Sequence, residues 1–237
     1  MIPLLIAVAA QLAIGYLIGS ISSGYLVGKL YRNVDLRRVG SGSTGATNTM
    51  RTLGLGAGLL VAIFDVLKGA IAVGVATFAI ENADLRPYAQ AFAAVGAVAG
   101  HCWPAFLEGR GGRGVATGFG ALLFIASPAW LASVAAFMLA IALTRMVSVG
   151  SLAAAAGALL GYALFVATGI ISFHWAVLAF ILVAAAIITW RHRPNIERIV
   201  RGSEPRLGAR AWPSRSSRRA RGAPRSRRSW PATATSR

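Results

Sequence analysis

Residues 55–80 read LGAGLLVAIFDVLKGAIAVGVATFAI, an apolar run interrupted by one acid, Asp65, and one base, Lys68. A helix needs about 20 apolar residues to cross about 30 Å of hydrocarbon, and this run exceeds that length. Asp65 and Lys68 stand one helical turn apart, so a mutual ion pair near one end of the span is the expected resolution of two charges in apolar surroundings. Six further apolar segments lie at residues 4–27, 88–107, 115–127, 129–143, 151–168 and 173–190. Pro128 divides one pair as a hairpin would, and Gly169 with Ser172 divides another. The resulting fold class is all-α, a polytopic integral membrane protein with seven transmembrane helices, or five if neither division holds.

Composition agrees: 56% of residues are hydrophobic, 13% are charged and the mean hydropathy is +0.64, too little polar surface to enclose a soluble core. No charged residue precedes Lys29, so segment 4–27 lacks the positive region of a cleaved signal peptide and is expected to stay as an anchor. Lys and Arg near span ends set orientation. Lys29, Arg32, Arg37, Arg38 and Arg51 follow the first span, Arg110 and Arg113 the third, Arg145 the fifth, and Arg191, Arg193 and Arg198 the last. All fall on one face, which places the N-terminus outside and the C-terminus in the cytosol. Glu81, Asp84 and Arg86 fall on the other.

The net charge of +17 belongs mostly to the end of the chain, where ten Arg and no acid follow Pro205. Residues 205–237 read as a disordered, Arg-rich cytosolic tail, attracted to the anionic headgroups of membrane lipids. No nucleic-acid recognition fold accompanies the charge, so nucleic acid is not an expected partner. A single cysteine, Cys102, excludes an internal disulfide and a cysteine-cluster metal site. No metal or cofactor is expected. No internal repeat supports a transporter duplication.

Two glycine-rich basic stretches break the apolar pattern. In GSGSTGATNTMR, residues 40–51, Gly40, Gly42 and Gly45 alternate with Ser41, Ser43, Thr44, Thr47 and Asn48 before Arg51. Glycine lets consecutive N–H groups turn toward one anion, hydroxyls add donors and Arg pairs with phosphate oxygens bidentately. An ordinary cytosolic turn with a helix cap would need fewer donors. In RGGRGVAT, residues 110–117, Arg110 and Arg113 flank Gly111 and Gly112, with Gly114 at the expected N-terminus of the next helix, where dipole and guanidinium charge both favour an anion. The spacing is not that of a nucleotide-binding P-loop, so ATP is disfavoured.

Arg145, Ser148 and Ser151 bring a charge and two hydroxyls to the same face. RHRPNIERIVRGSE, residues 191–204, adds His192, Asn195 and Glu204. The His192–Glu197 spacing is reminiscent of an acyltransferase His-x4-Asp pair, but Glu stands for Asp and Pro194 intervenes. His101 reads as a packed helix-end residue, His174 as structural and Trp103 as an interfacial anchor.

In order, GSISSGYLVGK, DLRRVGSGSTGATNTMRTLG, FDVLKG, GHCWPAFLEGRGGRGVATGFG, the Ser151–Leu152 segment and RHRPNIERIVRGSE resemble the bacterial acyl-phosphate:glycerol-3-phosphate acyltransferase (PlsY) family. The likeness covers residues 19–204 and implies a membrane-embedded acyltransferase domain over residues 1–204, in the bacterial cytoplasmic (inner) membrane, with its active site toward the cytosol. It implies transfer of a fatty acyl group from acyl phosphate to the 1-hydroxyl of sn-glycerol 3-phosphate, giving lysophosphatidic acid and phosphate for phospholipid synthesis. Carried over by position, Ser41, Arg51, His192 and Asn195 are catalytic, residues 110–114 bind glycerol phosphate, Ser148 or Ser151 is a site serine and Glu204 is structural. The family usually has Asn-Pro at Ser43-Thr44, and Lys at Arg110 and Arg113. The rival reading, a transporter of a phosphorylated metabolite, predicts polar groups through the bilayer midplane, whereas here they gather at one face.

Overall fold

A computed structural model describes residues 1–208. Ten α-helices run in order: α1 Ile2–Ser20, α2 Ser23–Arg32, α3 Ala46–Leu53, α4 Leu55–Ala79, α5 Arg86–Cys102, α6 Val115–Ile125, α7 Ser127–Thr144, α8 Val147–Ala167, α9 Trp175–Arg191 and α10 Arg193–Val200. Two 3-10 turns, Leu36–Arg38 and Ala105–Leu107, lie in the connections, and no strand occurs among the described residues. Each apolar segment of the sequence is helical. The breaks fall at Ala126, just before Ser127 and Pro128, and at the turn through Gly169, whose φ of 72° suits glycine.

Four helical stretches are long and apolar enough to cross a membrane: Ile2–Arg32, Leu55–Ala79, Ser127–Thr144 and Val147–Ala167. A fifth is added if Trp175–Arg191 and Arg193–Val200, bent by 59°, count as one. The helix α5, with 17 residues, and α6, with 11, are shorter, because the Trp103-Pro104 corner and the glycine-rich loop occupy the chain between them.

Within Ile2–Arg32 the helix breaks at Ile21 and Ser22, and the buried ion pair of α4 closes the break. Lys68 Nζ lies 2.9 Å from Asp65 Oδ1 and donates to the Ile21 carbonyl at 3.1 Å, while Ser23 Oγ donates to Asp65 at 2.5 Å. The expected mutual pairing of Asp65 and Lys68 is therefore present, with Ile21, Ser23 and His101 as further partners.

Small residues let helix backbones approach where no hydrophobic gradient drives them together. On the α1–α5 seam, side chains built at Gly15 and Gly19 would overlap the backbone of Ala93 and Ala97. The Tyr16 hydroxyl then donates to the Trp103 carbonyl at 2.8 Å, and Ser20 Oγ accepts from the Ala105 N–H at 3.3 Å, tying α1 to the corner that leads into the second loop. Large apolar residues such as Leu59, Ile63, Leu139, Leu160 and Leu182 remain exposed on the helix exteriors, as lipid contact requires. His174 caps α9 through Nδ1 and exchanges hydrogen bonds with the Tyr162 hydroxyl, so its role is structural.

Candidate active site

The first glycine-rich stretch is wound around one buried amide. Asn48, 3% exposed, donates from Nδ2 to the carbonyls of Leu36, Val39 and Ser43 at 3.3, 3.2 and 2.8 Å, and its Oδ1 accepts the Ser41 N–H at 2.9 Å. Gly40 turns the chain at φ 60°, and a side chain there would strike Asn48. Ser43 Oγ accepts from the Gly45 N–H at 3.3 Å, and Gly45 caps α3. The last six residues quoted for the loop fall in the short helix α3, which carries Thr47 and Arg51 out of the turn. Asn48, expected to bind substrate, borders the cavity that holds Arg51, while its amide is engaged with Leu36, Val39, Ser41 and Ser43.

The second stretch is held from outside. Arg191 donates from its guanidinium to the carbonyls of Gly112 and Gly111 at 3.1 and 3.3 Å and lies over the Trp103 ring at 5.6 Å. Gly112 N–H donates to the His101 carbonyl at 3.0 Å. Among the described residues the N–H groups of Gly111, Arg113 and Gly114 meet no acceptor, which leaves three donors beside Arg113 at the start of α6. Gly114, at φ 88°, caps that helix. Burial, helped by Arg198, Arg51 and Arg191 and opposed by Glu204, brings the Arg113 guanidinium down to about 10, so it stays a cation at neutral pH.

At the α9–α10 junction Pro194 occupies the first turn of α10, where its missing N–H costs nothing, and the helix begins rather than breaks there. His192, 1% exposed, sets Nδ1 2.7 Å from the Ile188 carbonyl. In the neutral ring Nδ1 therefore carries the proton and Nε2 keeps a lone pair. Asn195 Nδ2 donates to Glu204 Oε1 at 2.7 Å, and Arg198 Nε donates to Oε2 at 2.7 Å. That bond fixes the amide and leaves Asn195 Oδ1 buried without a partner among the described residues. Burial would raise the Glu204 pKa, but the Ser148 hydroxyl, the Asn195 amide and Arg198 outweigh it and hold the carboxyl below its ordinary range.

These pieces enclose two adjoining cavities that share Ser41, Ser43 and Arg113. One, of about 430 Å³, is lined by Arg110, Arg113, Arg191, Arg193 and Arg198 and by no carboxylate. The other, of about 270 Å³, is lined by Gly45, Thr47, Arg51, Gly114, Ser151 and His192, with Val66, Val115, Phe119, Phe137 and Val147 as an apolar wall. Asp65 and His101 also reach this second cavity. A narrow apolar pocket bordered by Val115, Phe119, Ser151 and Phe180 adjoins the same wall. Neither Arg51 nor Arg113 forms a salt bridge among the described residues, so two cations face space that fits an anion.

Of the two candidate serines, Ser151 borders the cavity while Ser148 sits behind it against Glu204. Gly42, Arg110 and Gly111 line the cationic cavity; Gly112 packs on His101, and Asn195 and Glu204 form the support behind His192. In the sequence Arg191 reads as one more cytosolic arginine and His101 as a packed helix end, whereas both touch the second loop. The Arg110 to Gly114 spacing contained no sign of either as a partner.

A family model described as glycerol-3-phosphate acyltransferase matches residues 9–202. This chain belongs to that family. It is 45% identical over 211 residues to the glycerol-3-phosphate acyltransferase of Parasynechococcus marenigrum, covering 89% of this chain and 95% of that protein. To the enzyme of the same name from Gloeobacter violaceus it is 42% identical over 200 residues, covering 83% and 93%. It also resembles a crystal structure of PlsY, an integral membrane glycerol 3-phosphate acyltransferase, in its glycerol 3-phosphate form, with TM-score 0.74, 35% identity and coverage of 85% and 96%. The lysophosphatidic acid form of PlsY matches with TM-score 0.72 and 33% identity, covering 85% of this chain and 95% of that one. A glycerol-3-phosphate acyltransferase needs a phosphate site open to water beside an apolar wall, and the paired cavities have that combination.

Proposed function

We propose that this acyltransferase draws its acyl group from acyl phosphate and transfers it to the 1-hydroxyl of sn-glycerol 3-phosphate, releasing lysophosphatidic acid and inorganic phosphate. The observation that carries the reading is the pair of cavities joined at Ser41, Ser43 and Arg113. The cationic one, polar and without an apolar wall of aliphatic residues, suits the small water-soluble substrate. Arg110, the open N–H groups after it and Arg113 hold the glycerol phosphate there. The other cavity suits a lipid-like phosphate, with Arg51 and the Ser41 loop on the phosphate and the acyl chain along Val115 and Phe119.

Acyl phosphate is an activated mixed anhydride, so positioning and charge stabilisation supply much of the catalysis. The glycerol oxygen attacks the acyl carbonyl, the carbonyl carbon's bond to the phosphate oxygen breaks, and phosphate leaves against Arg51 and Arg113. Asn195, its amide held by Glu204, sits behind His192 and steadies the ring that meets the attacking hydroxyl. Two proton acceptors are at hand, His192 Nε2 and an oxygen of the departing phosphate. No covalent acyl-enzyme is required.

The same reading places the protein in the bacterial cytoplasmic membrane with seven crossings by α1, α4, α5, α6, α7, α8 and α9, N-terminus outside. The bias of Lys and Arg toward one face supports it, and the site then opens to the cytosol. Purified full-length protein given acyl phosphate and glycerol 3-phosphate should form lysophosphatidic acid and phosphate in equal amounts, and none from acyl-coenzyme A. A folded preparation that makes no lipid from acyl phosphate sinks the reading.

A further inference from the structure

A buried polar cluster on α4 and α5 takes no part in the mechanism above. Asp65 Oδ1 accepts the Ser23 hydroxyl at 2.5 Å, lies 2.9 Å from Lys68 Nζ, and lies 3.4 Å from His101 Nδ1. Lys68 already neutralises Asp65, so closing the α1–α2 break has no need of the histidine. His101, 6% exposed, faces the second anion loop instead. Its carbonyl accepts the Gly112 N–H at 3.0 Å. Its ring fills the space a side chain at Gly112 would take: a Cβ built there would fall on Nε2, Cε1 and Cδ2. A Cβ on Gly111 would meet the His101 carbonyl in the same way. Residue 101 thus grips the loop on one side while Arg191 holds the Gly111 and Gly112 carbonyls on the other. Between these grips the peptide planes leave the N–H groups of Gly111, Arg113 and Gly114 without acceptors.

We infer that His101, its ring set by Asp65, is a positioning residue for glycerol-phosphate binding: it fixes Gly111 and Gly112 so that the open N–H groups and Arg113 converge on one phosphate. The inference rests on the assignment of this loop to glycerol phosphate made under Proposed function. A loop released on the His101 side would misplace its donors, and misplacement by about 1 Å costs on the order of a hundredfold in positioned chemistry. Binding of a charged ligand by several donors should lose less, about tenfold, and mainly in KM.

Steady-state kinetics on full-length protein in detergent test this, with KM for each substrate, kcat and Tm measured for His101→Ala, His101→Asn, Gly112→Ala and the double variant. His101→Ala should raise the glycerol 3-phosphate KM about tenfold with kcat at saturation within about threefold and the acyl phosphate KM unchanged. Asn retains a side-chain N–H for Asp65, so His101→Asn should recover part of that loss. Gly112→Ala should raise the same KM in the native background and add little to His101→Ala, where the ring is gone, a coupling that independent packing defects do not produce. A lowered Tm with both KM values unchanged, or additive effects in the double variant, overturns the positioning role. A rise in the acyl phosphate KM alone keeps the positioning role and overturns the loop's assignment to glycerol phosphate. Should His101→Ala not fold, Gly112→Ala and His101→Asn decide by the same KM criterion.

Discussion

The two glycine-rich loops have similar composition and opposite construction. The first organises itself locally: Asn48, seven residues from Ser41, gathers one N–H and three carbonyls from residues 36–43, in the loop and the turn just before it. The second is shaped by residues outside it, with Arg191 bonding across 79 and 80 positions of sequence and His101 packing against Gly112. A self-wound loop presents side chains, Ser41, Thr47 and Arg51, on a rigid base. A loop clamped at its carbonyls presents backbone N–H groups. The first mode suits a phosphate whose apolar tail lies along a helix wall, and the second a small dianion that must be enclosed closely.

The largest expected loss comes from removing the one guanidinium that α3 delivers. Arg51→Ala should lower kcat/KM by about 10²–10³ with the fold intact, the scale of losing a charge-stabilising donor at a reacting centre. Full turnover in this variant would break the first loop's role. Asn48→Ala should break the loop from within. It leaves several loop groups unpaired, which costs about 2–3 kcal/mol of stability and shows as a reduced Tm alongside reduced activity. If Asn48→Ala spared Tm but abolished activity, Asn48 would be a substrate ligand, as the sequence suggested, and not the core of the loop.

The two roles open to Asn48 have a physical source. An Asn in a glycine-rich stretch offers the same donors whether it faces inward or outward, and only the chain's path decides. The apolar segments were legible because a membrane span is a matter of length and hydropathy. The helices α3 and α10 were less so, being short, polar and partly built from Thr, Asn and Pro. Pro194 looked like a helix breaker, yet in the first turn it begins one. Which of Ser148 and Ser151 reaches the cavity depends on the rotation of α8, which no motif encodes. Arg191 was readable only as one more cytosolic arginine until α9 brought it to Gly111.

Arg191→Ala should sharpen the contrast, raising the glycerol 3-phosphate KM about tenfold while leaving acyl phosphate KM nearly unchanged. Arg191→Lys should restore little, since a point charge cannot bond two carbonyls in a planar fork. A smaller effect concerns Glu204, whose folded-state pKa is depressed by its partners. Its contribution to stability is full above the ordinary carboxylate pKa and is lost as pH falls through the depressed value. Thermal unfolding of Glu204→Gln should therefore lose stability at neutral pH and converge with the native protein in acid. Parallel curves would contradict that. Arg110→Ala should matter least, about twofold in KM, because Arg110 is exposed and screened.

Equilibrium binding of radiolabelled glycerol 3-phosphate to the native protein, Arg51→Ala and Arg113→Ala tests most directly whether the two loops hold different phosphates. The account predicts that Arg113→Ala loses binding by about tenfold or more while Arg51→Ala binds like the native protein. Equal loss in both, or loss in Arg51→Ala alone, would contradict it.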